Sequence, residues 1–418
     1  MPSAQHDEGL LHPATGRRDA TSAAERDQRP SRGVSGATAP GEHDSGHSPE
    51  QSGATACGDC LARTWLIARL AGSIEIARHQ RRRLREILAL SNEKLIARLG
   101  GVRAGQISDQ LDRLDRDALR EAVDRAGLDA ICRHHAAYPA RLNDLTDVPA
   151  ALFVAGGVER FVEMAGGDLE SGPRAVAVVG TRRASPDGIE IATSLGRGLA
   201  AAGVTVVSGM ALGVDSAAHG GAVVVGGRTI AVLAGGADVP YPPTKARLYE
   251  RILEHGCVVA ELPPGFVARR WCFPARNRII AALAHATVVV EAARRSGSLI
   301  TAEIATDLGR DVGAVPGPAT AWRSAGANAL LRDGATLIRH AGDALDLAVG
   351  IDCHEPPALH LPPRLRELLA DVSNGRDTVA SLTSAPSEVH ATLAGLTELE
   401  LLGHLRRVAG GRYVVIPP

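Results

Sequence analysis

Between residues 174 and 339 the chain repeats one pattern: a short β-branched run, a glycine-rich turn, then an amphipathic stretch. The runs are Arg174–Val179, Val204–Val207, Thr229–Leu233, Val258–Glu261, Thr287–Glu291, Val312–Val315 and Thr336–Arg339. Helical spacing covers 187–202, 214–225, 245–255, 276–284, 298–309 and 325–332. Alternating strands and helices build a parallel sheet, because each parallel return needs a crossover and the crossover helix covers the sheet. The runs are apolar at nearly every position, as in strands buried on both faces. The pattern predicts an α/β fold with a doubly wound parallel sheet.

The flanks follow other rules. Up to residue 56 the large apolar side chains are Met1, Leu10, Leu11 and Val34, too few to offset the entropy of ordering. Residues 1–60 are therefore expected to be a disordered tail. Leu66, Ile67, Leu70 and Ile74, then Leu84, Ile87, Leu88, Leu95, Ile96 and Leu99, recur at helical spacing, which predicts a helical domain over 61–135. The α/β core with its lead-in occupies 136–350, and a Pro-rich linker occupies 351–362. Residues 363–418 contain helical stretches near 363–372, 377–383 and 387–403, then two short runs, Leu405–Val408 and Tyr413–Ile416, around Gly410-Gly411. Three helices and a hairpin are the winged-helix pattern. Its charges are balanced, so contact with protein is at least as well supported as contact with DNA.

Composition narrows the partners. With 46 Lys+Arg against 47 Asp+Glu the formal charge is -1, which excludes a generally basic polymer binder but leaves room for a local basic site. The run Arg78-His79-Gln80-Arg81-Arg82-Arg83-Leu84-Arg85 is read as a solvated helix face in preference to a phosphate contact, since a helix spreads it around its circumference. Six irregularly spaced Cys make no disulfide framework. Cys57 and Cys60 form one C-x-x-C with no second pair at zinc-ligand spacing. Unpaired surface thiols are preferred there to a metal clip, and no metal or cofactor is expected. No signal peptide opens the chain and no run approaches the ~18 apolar residues of a membrane span, so a cytoplasmic protein without a membrane partner is expected.

Ligands of such sheets bind outside the carboxyl ends of the strands. Five glycine-bearing loops leave those ends: 179–185, 208–215, 234–238, 292–298 and 316–318. Gly allows close backbone approach, and a following helix aims free N–H groups at the crevice, so an anionic ligand is favoured. The segment Arg269-Arg270-Trp271-Cys272-Phe273-Pro274-Ala275-Arg276-Asn277-Arg278 puts four Arg beside two aromatics in a chain of 3 Trp, 4 Tyr and 4 Phe. Arg grips phosphates bidentately and an aromatic face stacks on an unpaired base. Nucleic-acid binding is the preferred reading, with core packing of Trp271 and Phe273 as the other.

Neither G-x-G-x-x-G nor a Walker A motif occurs, and no catalytic set emerges. Asp215 and His219, four apart on one helix, are read as a mutual hydrogen bond that braces a loop rather than an acid–base pair. Glu303 is read as a helix-surface residue. The competing function is a nucleotide-cleaving phosphoribohydrolase (LOG-like) on a related scaffold, with Glu303 as its general acid, but the Pro-Gly-Gly loop of such enzymes is missing before Ser296.

The ordered motifs Tyr138-Pro139, Val179-Gly180-Thr181-Arg182, Ser208-Gly209-Met210-Ala211-Leu212-Gly213-Val214-Asp215 and Phe273-Pro274-Ala275-Arg276-Asn277-Arg278 resemble one family. So do Ser296-Gly297-Ser298-Leu299-Ile300-Thr301-Ala302 and Ala314-Val315-Pro316-Gly317. It is the bacterial DNA-processing protein A (DprA/Smf) family. The resemblance implies an extended Rossmann-like fold that binds single-stranded DNA without cleaving it, protects incoming strands in natural transformation and helps load the recombinase RecA, usually as a homodimer. It implies DNA-binding roles for Gly180, Thr181, Arg182, Gly209, Arg270, Phe273, Arg276, Asn277, Arg278, Gly297 and Ser298. Arg182, Arg270, Arg276 and Arg278 would meet phosphate, and Phe273 would stack a base. Leu212 stands where the family usually has Arg, and Lys245 where it usually has Asn. Leu212 thereby removes one positive charge from the expected groove, Lys245 partly compensates, and lower DNA affinity or a shift toward Arg183 and Arg269 is expected.

Overall fold

The computed structural model describes residues 56–79, 84–350, 361–383 and 385–415. The expected tail up to residue 55 and most of the linker lie outside the described residues. Six helices come first: α1 (Gly58–Arg69), α2 (Ala71–His79), α3 (Leu84–Leu88), α4 (Asn92–Leu99), α5 (Ala104–Asp112) and α6 (Arg116–Arg125). Their apolar faces, with Leu66, Leu70, Ile74, Leu95 and Ile107 fully buried, close on Leu262, Trp271 and Ala275 of the next unit. Trp271 is 1% exposed, so its ring joins this core and is not available to a ligand.

Next come β1 (Asp129–Cys132), β2 (Ala151–Ala155), α7 (Val158–Ala165), β3 (Ala175–Val179), α8 (Pro186–Ala201), β4 (Thr205–Ser208), α9 (Val214–Val224) and β5 (Thr229–Leu233). They are followed by α10 (Ala246–His255), β6 (Cys257–Ala260), α11 (Cys272–Leu283), β7 (Ala286–Val289), α12 (Gly297–Asp307), β8 (Asp311–Ala314), α13 (Ala325–Arg332), β9 (Thr336–Leu337) and α14 (Ala341–Val349). The sheet has nine strands in the order β1-β2-β6-β5-β4-β3-β7-β8-β9. The pairs from β6 through β9 are parallel, while β1–β2 and β2–β6 are antiparallel. Alternation along β3 sorts the core. Val176 and Val178 face α8, α9 and α14, whereas Ala175, Ala177 and Val179 face α7, α11 and α12. Every residue of β3, β4, β5, β6 and β7 is buried, as the continuous apolar runs require.

The antiparallel edge was not evident in the sequence. β1 falls inside the range read as helical, because four residues with a single β-branched side chain, Ile131, carry too little pattern. Helix α11 begins four residues before the expected 276, since Pro274 sits in the first turn, where its missing N–H costs no hydrogen bond.

The chain winds from β3 through β4, β5 and β6 on one side, then returns to β7 on the other side of β3. Loops leaving β3 and β7 therefore diverge and open a crevice between them. The C-terminal residues form α15 (Pro363–Ser373), α16 (Val379–Leu382), α17 (Val389–Leu401) and an antiparallel hairpin of β10 (Leu405–Val408) and β11 (Arg412–Val415). Leu365, Leu382, Leu396, Leu399, Leu405 and Tyr413 give them a core of their own. Arg197 of α8 donates to Gly403 O at 2.8 Å, and Arg406 pairs with Glu190 at 2.8 Å, which docks the hairpin end on α8. No helix among the described residues is long and apolar enough to cross a membrane.

Candidate nucleic-acid interface

A cleft of about 420 Å³ lies at the carboxyl ends of β3 and β7. Gly180, Arg182, Asp215, Phe273, Arg276 and Asn277 line it, with Gly297, Ser298 and Thr301 on the α12 side and Arg78 reaching in from α2. Arg182 is exposed and its guanidinium carbon stands 4.6 Å from the Phe273 ring centroid. Tyr241 meets the same ring at 5.6 Å and a tilt of 53°. A stacked cation and two aromatic rings at the mouth of a cleft make a platform for a planar, anionic ligand.

Two glycines permit this arrangement. A Cβ on Gly209 would overlap the Arg276 guanidinium, and one on Gly213, whose φ is 81°, would overlap Thr181 O. Gly209 thus serves by making room for Arg276; it does not line the cleft. Between the two glycines Met210 is held at φ 55°, the left-handed region that a side chain ordinarily avoids. Thr181 is also spent on the loop, its Oγ1 accepting from Arg183 N at 3.2 Å and its N–H donating to Glu291 O at 2.7 Å.

Arg276 is 6% exposed and donates through Nη1 to Val232 O. Its Nε has no hydrogen-bond partner among the described residues. Burial lowers its pKa to about 10, against the pull of Asp215, so it stays positive at neutral pH. A buried cation with a donor to spare is a strong anion handle. Asp215 partly neutralises it. Burial raises the Asp215 pKa, opposed by Arg276, the Ala211 and Gly209 amides, and Arg182. At the N-terminus of α12, Ser298 N donates to Ser296 Oγ and Leu299 N to Ser296 O, and Asn277 Nδ2 donates to Gly297 O at 3.1 Å, so this helix end offers the cleft the positive end of its dipole.

Several expected contacts are corrected by the fold. Arg278 is 1% exposed and holds both oxygens of Glu261 at 2.7 and 2.8 Å and Asp147 at 2.9 Å. Burial disfavours its charge, but the two carboxylates outweigh burial and raise its pKa. It is an internal strut and meets no phosphate. Arg270 is exposed but does not line the cleft. Asp215 and His219 do not bond each other. The Asp215 carboxylate accepts from Ala211 N, and His219 Nδ1 bonds Thr229 Oγ1 at 2.7 Å.

Only three of the five glycine loops line the cleft. Asp238 seals the 234–238 loop by accepting Gly265 N at 2.9 Å, and Asn328 seals 316–318 with bonds to Gly317 N and O. The α8 N-terminus is likewise occupied by the Glu291 carboxylate, which accepts Ser185 N and Oγ. Glu303 is exposed on α12, outside the cleft. Leu212 is exposed at the loop tip.

The sequence also gave no reason to single out Trp322, 56% exposed with Arg323 stacked 4.8 Å over it; its rarity in so aromatic-poor a chain was the available signal. Arg78, read as part of a solvated face, belongs to the cleft and pairs with Glu75 at 3.0 Å. Cys57 and Cys60 are free cysteines, as expected, but the surface placement is corrected for Cys60. Cys60 is buried, and both thiols meet Cys132 and His134 in one cluster.

Comparison with known proteins agrees with this architecture. The profile described as DNA recombination-mediator protein A matches residues 129–348. A DNA processing protein of Mycobacterium tuberculosis is 51% identical over 177 residues, 42% of this chain and 46% of its own, so the chain spans about half the length of that relative. Protein Smf of Escherichia coli is 36% identical over 288 residues, 66% of this chain and 74% of that protein. The crystal structure of DNA processing protein A from Streptococcus pneumoniae superposes with a TM-score of 0.55 at 30% identity, covering 70% of this chain and 99% of that one. With more than half of its length under one family profile and the Smf match extending across most of both chains, this chain belongs to the DNA recombination-mediator protein A family.

Proposed function

We propose that the protein is a non-catalytic single-stranded DNA-binding protein that protects incoming DNA in natural transformation and helps load RecA, acting as a homodimer in the cytoplasm. The observation that carries the DNA-binding reading is the cleft itself: the Arg182–Phe273 stack, the buried Arg276 with an Nε unpartnered among the described residues, and the positive N-terminal end of α12. Phosphate suits the last two and an unpaired base suits the first. In a duplex the base faces are closed by neighbours, so the stack favours single strands. DNA processing is also what the relatives are named for.

The phosphoribohydrolase alternative has less support, because Glu303 lies outside the cleft. Among the described residues Asp215 is the one carboxylate that lines it, beside two arginines that it partly neutralises. In this reading the C-terminal helices and hairpin act as a winged helix that contacts protein rather than DNA. Arg376 pairs with Asp371, Arg412 with Asp377 and Arg406 with Glu190, which engages three of the module's six arginines.

Fluorescence anisotropy with an oligo-dT strand and its duplex tests the reading. Binding to the single strand that exceeds binding to the duplex and falls steeply with salt is expected, since each neutralised phosphate releases ~0.7 counterion. Equal binding to both, or none to the single strand at low salt, would overturn it.

A further inference from the structure

We propose that Cys57, Cys60, Cys132 and His134 form a tetrahedral structural zinc site that ties the N-terminal helices to the edge of the sheet. The four ligating atoms, three Sγ and the His134 Nδ1, all lie within 4.8 Å of one another. Nδ1 stands 3.4 Å from Cys57 Sγ and 3.5 Å from Cys60 Sγ. With Zn–S near 2.3 Å and Zn–N near 2.05 Å, a tetrahedron has S···N edges of about 3.6 Å and S···S edges of about 3.8 Å. The cluster is therefore already close to the size of the coordination shell.

Hydrogen bonding alone does not explain the convergence. An imidazole Nδ1 has one lone pair and accepts one thiol proton, yet two thiols approach it. Three sulfurs and one nitrogen, with no carboxylate in the set, match the closed Cys₃His composition of structural zinc rather than a catalytic site with an open position.

Local structure prepares the thiolates. Cys57 is the N-cap of α1 and Cys60 lies in its first turn, so the positive end of the helix faces the sulfurs. Cys57 N–H donates to Cys132 Sγ at 3.5 Å. Zinc binding releases the protons of the thiols it ligates to solvent and takes the imidazole neutral, leaving three thiolates around a divalent ion.

The two halves come from segments far apart in sequence. Cys57-x-x-Cys60 opens α1, whereas Cys132 ends β1, the antiparallel edge strand, and His134 follows it. None of the four lines the cleft, so the site is separate from the proposed DNA contacts.

The test uses the full-length protein expressed in zinc-supplemented medium and purified under reductant. Elemental analysis should find about one zinc per chain, and cobalt exchange should give the intense visible bands and thiolate charge-transfer absorption of a tetrahedral sulfur site. His134 is exposed, so H134A keeps the core intact; it should release metal to a chromogenic chelator ~tenfold faster or more, while H134C restores retention. Three results would each overturn the proposal. One is less than about a tenth of a zinc per chain together with a weak, octahedral cobalt spectrum. Another is differential alkylation that finds a Cys57–Cys60 disulfide under reductant. The third is an H134A variant that holds zinc as the parent protein does.

Discussion

The Arg182 guanidinium lies 4.6 Å over the ring of Phe273, although one residue comes from the loop after β3 and the other from the first turn of α11. The pair divides the ligand between them. The cation meets phosphate and the ring meets a base, and a base that enters the stack must share the face with the cation or displace it.

Replacing Phe273 by Ala should weaken single-strand binding by about 1–3 kcal/mol, the value of one stacked base. Replacing exposed Arg182 by Ala should lower the salt slope by ~0.7 per lost phosphate contact and leave the melting temperature nearly unchanged. Anisotropy across a salt series and a thermal melt check both. A large fall in melting temperature for Arg182→Ala would show that the residue is structural.

Arg278 behaves oppositely. Arg278→Ala leaves Glu261 buried without this partner and Asp147 with only Arg85 at 3.5 Å, which should cost about 3–5 kcal/mol of stability. Denaturant unfolding measures this. A variant as stable as the parent but defective in DNA binding would return Arg278 to the phosphate contacts from which its burial removes it.

Gly209→Ala tests the cleft from beneath. The added methyl collides with the Arg276 guanidinium and must push it from its place against Val232 O. A loss of about 1–3 kcal/mol in stability, with weaker DNA binding, is expected. Unchanged stability and binding would mean that Arg276 has another resting position.

Stability should fall on acidification. Burial lowers His219 to about 3 and His285 to about 4 from an ordinary value of 6.5. Below pH 6.5 the unfolded chain therefore binds protons that the folded one refuses. Stability contributed by each neutral histidine is present above that pH and is lost toward pH 4, by about 1.4 kcal/mol per unit. Asp215 and Asp147, raised by burial, titrate with the opposite sign. Comparing the pH slope of the parent with that of H219Q isolates the histidine: the variant should have the shallower acid slope, and identical slopes would refute the assignment.

Local chemistry carried much of the fold in the sequence. Arg174–Val179 and Thr229–Leu233 are read as strands because β-branched side chains in a nearly unbroken apolar run fit a sheet covered on both faces, and that information lies within a few residues. The family motifs and the glycine loops at the strand ends were legible for the same reason. Tertiary structure decided what each side chain does there. Arg182 and Arg278 stand in equally Arg-bearing motifs, yet Arg278 is closed over by Glu261, 17 residues away, and by Asp147, 131 away, while Arg182 stays in solvent. Cys60 meets His134 across 74 residues, so the C-x-x-C half shows its other two partners only in the folded chain. A sequence records which groups a chain owns and how its near neighbours alternate. Whether a cation is desolvated, paired or free for a ligand depends on which distant segments fold over it, and only the packed chain sets that dielectric and those partners.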